Sequence, residues 1–216
     1  MSNKLFEIIL ATSNPGKLKE FSALTSDLPV KIIPQSEFNV EDVEETGLTF
    51  VENAILKARH ASHQTGRAAI ADDSGLVVDA LGGEPSIYSA RYAGPDCNSA
   101  NNIAKLLTQM LDIPQQQRSA RFVSVLVLFQ HPQDPCPLIC QASWEGEILF
   151  SPRGKNGFGY DPIFWVPSHQ CASAELPSEI KNQLSHRARA FRALHDKMRH
   201  LISPSKGASS MESRLT

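Results

Sequence analysis

The sequence has little of what marks the specialised protein classes. No apolar run approaches the ~20 residues that a bilayer span requires. Glu7 interrupts the N-terminal stretch Leu5–Leu10, and no A-x-A cleavage pattern follows it. There are only 4 cysteines, Cys97, Cys136, Cys140 and Cys171, spaced too irregularly for a disulfide framework, so free thiols are expected. Cys136-x-x-x-Cys140 has no second Cys/Cys or His/His pair at ligand spacing to complete a zinc site. An excess of one charge sign is missing too: 21 Lys and Arg against 23 Asp and Glu leave −2. That balance gives no electrostatic footprint for nucleic acid or an anionic membrane. These absences point to a cytosolic (cytoplasmic) protein that binds neither.

The chain has 216 residues, 41% hydrophobic and 20% charged, enough for one large domain with a sizeable core. Residues 1–202 read as one large domain or a compact two-lobed one, with no linker that divides them. Residues 203–216 carry five serines and little to bury, and are expected to fray. Charge is unevenly distributed within the balance. Glu37 to Asn53 holds six acids and no base, whereas Ser178 to Ile202 holds six bases against two acids. Most of these read as solvated faces, but a substrate that is both anionic and metal-bound would need both kinds of surface.

Phe6–Ala11 reads as a buried strand, ended by the turn residues Thr12-Ser13-Asn14-Pro15-Gly16 and followed by a helix carrying Leu18, Phe21 and Leu24. Val30–Ile33 predicts a second strand. Val51, Ala54, Ile55, Ala58 and Ala61 predict a helix between a Thr49-x-x-Glu52 capping box and a Gly66 C-cap. Ala68–Ala71 reads as a short strand entering an Asp72-Asp73-Ser74-Gly75 turn, with Leu76–Leu81 resuming an extended run. A capped helix over Asn98–Leu111 and a β-rich run over Phe122–Phe129 come next. Leu138–Ser143 and Gly146–Phe150 read as an antiparallel pair. Leu184, Ala188, Phe191, Leu194, Met198 and Leu201 define a C-terminal amphipathic helix. The order predicts an α/β fold with a mixed sheet flanked by helices, not a doubly wound parallel one.

Five constellations carry chemistry. Thr12-Ser13-Asn14-Pro15-Gly16-Lys17 fits neither the Walker nor the dinucleotide glycine pattern, yet a helix N-terminus with unpaired N–H groups plus Lys17 suits a phosphate. Glu44-Glu45 precedes a helix whose polar face carries Asn53 and Lys57. Asp72 and Asp73 are adjacent carboxylates, costly together unless exposed or bound to a cation such as Mg²⁺. Gly157-Phe158-Gly159-Tyr160-Asp161 offers close backbone approach and a ring for a base to stack on. Lys181 with Ser185-His186-Arg187 supplies donors for acceptor atoms on a purine edge. An anion cradle, metal carboxylates, a stacking ring and base-edge donors together meet the needs of metal-assisted cleavage of a nucleotide phosphate.

These segments, with Tyr88-Ser89-Ala90-Arg91-Tyr92, resemble the inosine triphosphate pyrophosphatase family, the non-standard purine nucleoside triphosphate pyrophosphatases, and most of all its bacterial dITP/XTP branch. The resemblance runs from about Ile8 to Leu201. It implies an elongated two-lobed fold with a substrate cleft, usually homodimeric. It also implies Mg²⁺-dependent hydrolysis of ITP, dITP or XTP to monophosphate and pyrophosphate. Carried over residue by residue, Thr12, Ser13, Asn14, Pro15, Gly16, Lys17 and Lys57 would bind phosphates, and Glu45 and Asp73 the metal. Asp73 would accept the proton of the attacking water, and Ser74 would touch substrate. Phe158, Gly159, Tyr160 and Asp161 would enclose base and sugar, and Lys181, His186 and Arg187 would read the base. One departure is Ser13-Asn14-Pro15, where the family more often has Gly-Asn and a small or apolar residue. The rival readings are a related pyrophosphatase for pyrimidine or methylated nucleotides, and a non-catalytic nucleotide-sensing or nucleic-acid-binding module. The Asp72-Asp73 pair argues against the latter.

Overall fold

The computed structural model describes residues 5–96 and 98–202. Cys97, with its expected free thiol, and the 203–216 segment expected to fray lie outside the described residues. Cys136, Cys140 and Cys171 are free thiols.

Seven strands form one mixed sheet: β1 (Phe6–Leu10), β2 (Val30–Pro34), β3 (Ala69–Val78), β4 (Ser119–Phe129), β5 (Leu138–Ile148), β6 (Phe164–Val166) and β7 (Cys171–Ala172). Their spatial order is β2-β1-β3-β4-β5-β6-β7. β1 runs parallel to β2 and β3, whose connections contain the helices α1 (Pro15–Leu24) and α2 (Phe50–Thr65). From β3 onward all neighbours are antiparallel. α3 (Ser99–Gln109), α4 (Ser178–Leu184) and α5 (His186–Ile202) complete the fold.

The helix signals hold because the caps are real. Asn14 accepts from the N–H groups of Gly16 and Lys17 at the start of α1, with Pro15 in its first turn. Thr49 accepts from Glu52 N–H at the start of α2, and Gly66 ends that helix with φ 65°, the left-handed conformation that favours glycine. Asn98 caps α3.

Three sequence expectations are corrected. Asp72-Asp73-Ser74-Gly75 is not a turn: it lies inside β3, paired in unbroken register with Leu126-Val125-Ser124-Val123 of β4. Polar, turn-prone residues stay extended here because β4 pairs along their backbone, Lys17 and Lys57 take the Asp72 carbonyl, and cations pair with the two aspartate side chains. Leu138–Ser143 and Gly146–Phe150 are not a hairpin. Leu138–Ile148 is one strand along β4, and Gly146 sits where an added Cβ would fall 2.6 Å from the Phe164 ring, so the glycine marks a tight strand crossing rather than a turn. The C-terminal helix is interrupted: Ser185, extended at ψ 156°, separates α4 from α5 and accepts through its hydroxyl from Ala188 N–H.

The long strands carry separate apolar clusters along their length. Leu76, Val78, Ala120 and Phe122 pack with α3 and the β6 residues Phe164 and Val166. Further along the same strands, Ile70, Leu126 and Leu128 pack against α1 and α5 on one face, while Ala69, Ala71, Val125 and Val127 pack against α2 on the other. Asp72, Asp73 and Ser74 lie where these clusters meet, which puts the polar residues at the middle of the sheet.

Candidate active site

A cleft of about 750 Å³ opens over the middle of β3. Its wall gathers residues from the start of α1, the acidic loop before α2, β3, the Ser86–Arg91 segment, the glycine loop and the α4–α5 junction. Of the expected site residues, Thr12, Ser13, Asn14, Lys17, Glu45, Lys57, Asp73, Ser74, Phe158, Gly159, Tyr160, Asp161, Lys181, His186 and Arg187 all line it; Pro15 and Gly16 do not.

At the α1 end, the N–H groups of Asn14, Gly16 and Lys17 are taken by Thr12 Oγ1 and Asn14 Oδ1. The expected unpaired N–H groups are therefore replaced by side chains and by the positive end of the helix dipole. Lys17 Nζ donates to the backbone carbonyl of Asp72 at 2.9 Å and pairs with Asp72 Oδ2 at 3.0 Å. Burial lowers its pKa, and Asp72 opposes that effect.

The alternation of β3 separates the two aspartates. Asp72 turns toward α5 and binds Arg187, Lys17, Ser74 and Ser124. Asp73 turns toward α2, where Lys57 Nζ lies 2.5 Å from its Oδ1 and 2.8 Å from Glu45 Oε1. Glu45 Oε2 also accepts from Arg91 at 2.9 Å. Burial favours the neutral form of Asp72, but Arg187 and Lys17 hold its carboxyl well below the usual range. Asp73 moves the other way: burial raises its pKa, and Lys57 and Lys17 offset only part of the rise. Burial would lower Lys57, yet Asp73 and Glu45 keep it raised and charged. The two neighbours are thus driven in opposite directions, Asp72 toward the ionised form and Asp73 toward the protonated one.

Asp73 Oδ2 is buried and has no hydrogen-bond partner. Such an orphaned acceptor costs stability unless a ligand completes it. Among the described residues no three His, Cys, Asp or Glu side chains cluster as a metal site. Asp73 and Glu45 are two hard oxygen donors sharing one ammonium, a set that suits a Mg²⁺ ion whose remaining ligands are phosphate and water.

At the opposite end, Asp161 is buried and organises the glycine loop. Its carboxylate accepts from Phe158 N–H at 2.8 Å, Ser173 Oγ at 2.8 Å and Lys181 Nζ at 2.6 Å. Gly157, at φ 74°, abuts that carboxylate so closely that a Cβ would overlap it. Phe158 is 37% exposed, and its ring lies 5.0 Å from Lys181 Nζ. Tyr160 is buried, and its hydroxyl donates to Ser89 O at 2.9 Å. The His186 ring stacks on Phe122 at 4.9 Å and 14°, with its Nδ1 buried and unpartnered. Burial first, then the Arg187 charge, pushes the imidazole well below its ordinary pKa of 6.5, so it is neutral. Of the six bases in the C-terminal segment, Lys181 and Arg187 are buried in this site and the other four are exposed.

Several wall and support residues have roles that the sequence reading does not assign. Glu20 pairs with both Lys181, at 3.0 Å, and Arg187. Its position three residues after Lys17 on α1 was the available signal. Ser124, which bonds Asp72 Oδ1 at 2.7 Å, was the one hydroxyl inside an apolar β run. Ser89 holds the Ser86–Arg91 segment on β3 by accepting from Leu76 N–H at 2.9 Å. That contact requires Gly75, where an added Cβ would stand 2.5 Å from Ser89 Oγ.

Fold and site together define an α/β protein with a deep cleft across one mixed sheet, lined by lysines, arginine and carboxylates. The chain belongs to the Ham1 family, whose model matches residues 8–197. It is 57% identical over 188 residues to the dITP/XTP pyrophosphatase of Vibrio cholerae, a match covering 87% of this chain and 94% of that protein. It is 56% identical over 194 residues to the dITP/XTP pyrophosphatase of Xanthomonas campestris pv. campestris (strain 8004), covering 90% and 98%. The structure of a HAM1 protein from Coxiella burnetii aligns with TM-score 0.84 at 52% identity, covering 91% of this chain and all of that one.

Proposed function

We propose that this protein hydrolyses non-standard purine nucleoside triphosphates, dITP and XTP foremost, to the monophosphate and pyrophosphate, and so keeps deaminated purines out of nucleic acid. The observation that carries the reading is the split of the two aspartates. Asp72 is locked as an anion, while Asp73, in the cleft wall, has a raised pKa and a buried oxygen without a hydrogen-bond partner. The relatives' names support the same reaction.

Phosphates lie at the α1 end, where Lys17, Lys57 and the dipole of α1 supply positive charge. Glu45 and Asp73 would hold Mg²⁺, which when bound would neutralise polyphosphate charge and polarise the phosphoryl group. Water attacks the sugar-linked phosphorus and forms the new P–O bond. The bond from that phosphorus to the bridging oxygen breaks, its electron pair leaving on pyrophosphate, and Asp73 takes the water proton.

The base lies against Phe158, within reach of Lys181, His186 and Arg187. The 6-oxo group of hypoxanthine and xanthine accepts hydrogen bonds where adenine's amino group donates. A buried donor left unpaired by ATP can discriminate by ~10⁴ or more. No helix among the described residues is long and apolar enough to cross a membrane. A cytoplasmic homodimer is the assembly and location this reading carries. A panel of triphosphates tests the substrate class: faster turnover of dTTP or UTP than of dITP and XTP would refute it.

A further inference from the structure

We propose that Asp72 is a positioning residue that sets the phosphate-side and base-side cations of the cleft from one buried carboxylate. The proposal rests on the nucleotide reading above and adds to it a coupling between the two ends of the substrate. Asp72 is absent from the cleft wall and its side chain is 0% exposed, so it cannot touch substrate. It acts through others. Its Oδ2 lies 3.0 Å from Lys17 Nζ, 3.0 Å from Arg187 Nε, 2.9 Å from Arg187 Nη2 and 3.0 Å from Ser74 Oγ. Its backbone carbonyl accepts from Lys17 at 2.9 Å and Lys57 at 3.3 Å. Ser124 Oγ fixes the remaining oxygen at 2.7 Å.

Lys17 lies in the first turn of α1 and Arg187 in the first turn of α5, and among the described residues no other atom pairs with both cations. Long side chains lose rotamer freedom when held, and a cation held by a buried carboxylate is already ordered before substrate arrives. Glu20 offers Arg187 a second carboxylate, whereas Lys17 pairs with no other among the described residues. Loss of the Asp72 charge therefore weakens the phosphate end more than the base end, and weakens both.

The test uses Asp72→Asn and, as a milder variant, Ser124→Ala, which removes only the single hydroxyl bond to Oδ1 and changes no wall residue. Calorimetry with inorganic tripolyphosphate reads the phosphate end, and the ratio of IMP to AMP affinity reads the base end. In Asp72→Asn the tripolyphosphate Kd rises about tenfold or more and the IMP preference falls several-fold, in line with loss of hydrogen bonds between charged groups. Ser124→Ala shifts both in the same direction by about two- to threefold. A lower melting temperature with both affinities unchanged would make Asp72 merely structural and overturn the proposal. Loss at one end alone would overturn the coupling. Wild-type turnover of dITP is measured alongside: its absence contradicts the proposed function and this inference with it, whereas intact turnover with unmoved affinities contradicts this inference alone.

Discussion

Asp72 and Asp73 are consecutive in the chain yet serve opposite faces of β3: Asp72 pairs with Arg187 of α5 at 2.9 Å, and Asp73 with Lys57 of α2 at 2.5 Å. The two-residue repeat of a strand resolves their repulsion, giving each carboxylate its own cation.

Asp73→Asn keeps the shape and one bond to Lys57 but removes the proton acceptor. Turnover of dITP should fall by about 10² to 10⁴, with a circular-dichroism melt close to wild type. Unchanged kcat would remove Asp73 from the chemistry.

Lys57 bridges Asp73 and Glu45, so one ammonium offsets part of the charge of the two carboxylates that would receive the metal. In Lys57→Met those carboxylates face each other without it. Mn²⁺ titrated by electron paramagnetic resonance, without nucleotide, should bind about tenfold tighter than to wild type. Equal or weaker binding would show that the carboxylates do not form one cation site.

His186 supplies the pH dependence. Its folded pKa lies well below the unfolded 6.5, so below that pH the unfolded chain takes up a proton that the folded chain refuses. Its contribution is intact above pH 6.5 and is lost as pH falls toward the folded pKa, at up to about 1.4 kcal/mol per pH unit. Denaturant titrations at successive acid pH values should show that slope in wild type and a shallower one in His186→Phe. Identical slopes would contradict a buried neutral imidazole.

Phe158 packs on Gly16, where an added Cβ would fall 2.9 Å from the ring, and lies beside Lys181. Phe158→Ala should raise the KM for dITP about tenfold or more, the usual worth of a stacked base, with kcat much less affected. A fall in kcat at constant KM would assign the ring another role.

Helices and caps were legible because their signals are local: Thr49 and Gly66 each act within one turn of α2. The site residues were legible as short strings, and the fold brings strings from both ends of the chain to one cleft. Asp72-Asp73-Ser74-Gly75 was misread as a turn because what holds it extended is distant: β4 in register, Lys57, and Arg187 over a hundred residues away. Gly146 likewise reads as a turn until Phe164 is seen against it. Glu20 and Ser124 escaped notice because each matters only through a partner that folding supplies.

The most direct test of the account is phosphorus NMR of dITP or XTP turned over by the purified protein with Mg²⁺. Monophosphate and pyrophosphate should appear in equal amounts, with no orthophosphate. Diphosphate with orthophosphate, or untouched triphosphate, would contradict cleavage beside the sugar-linked phosphorus.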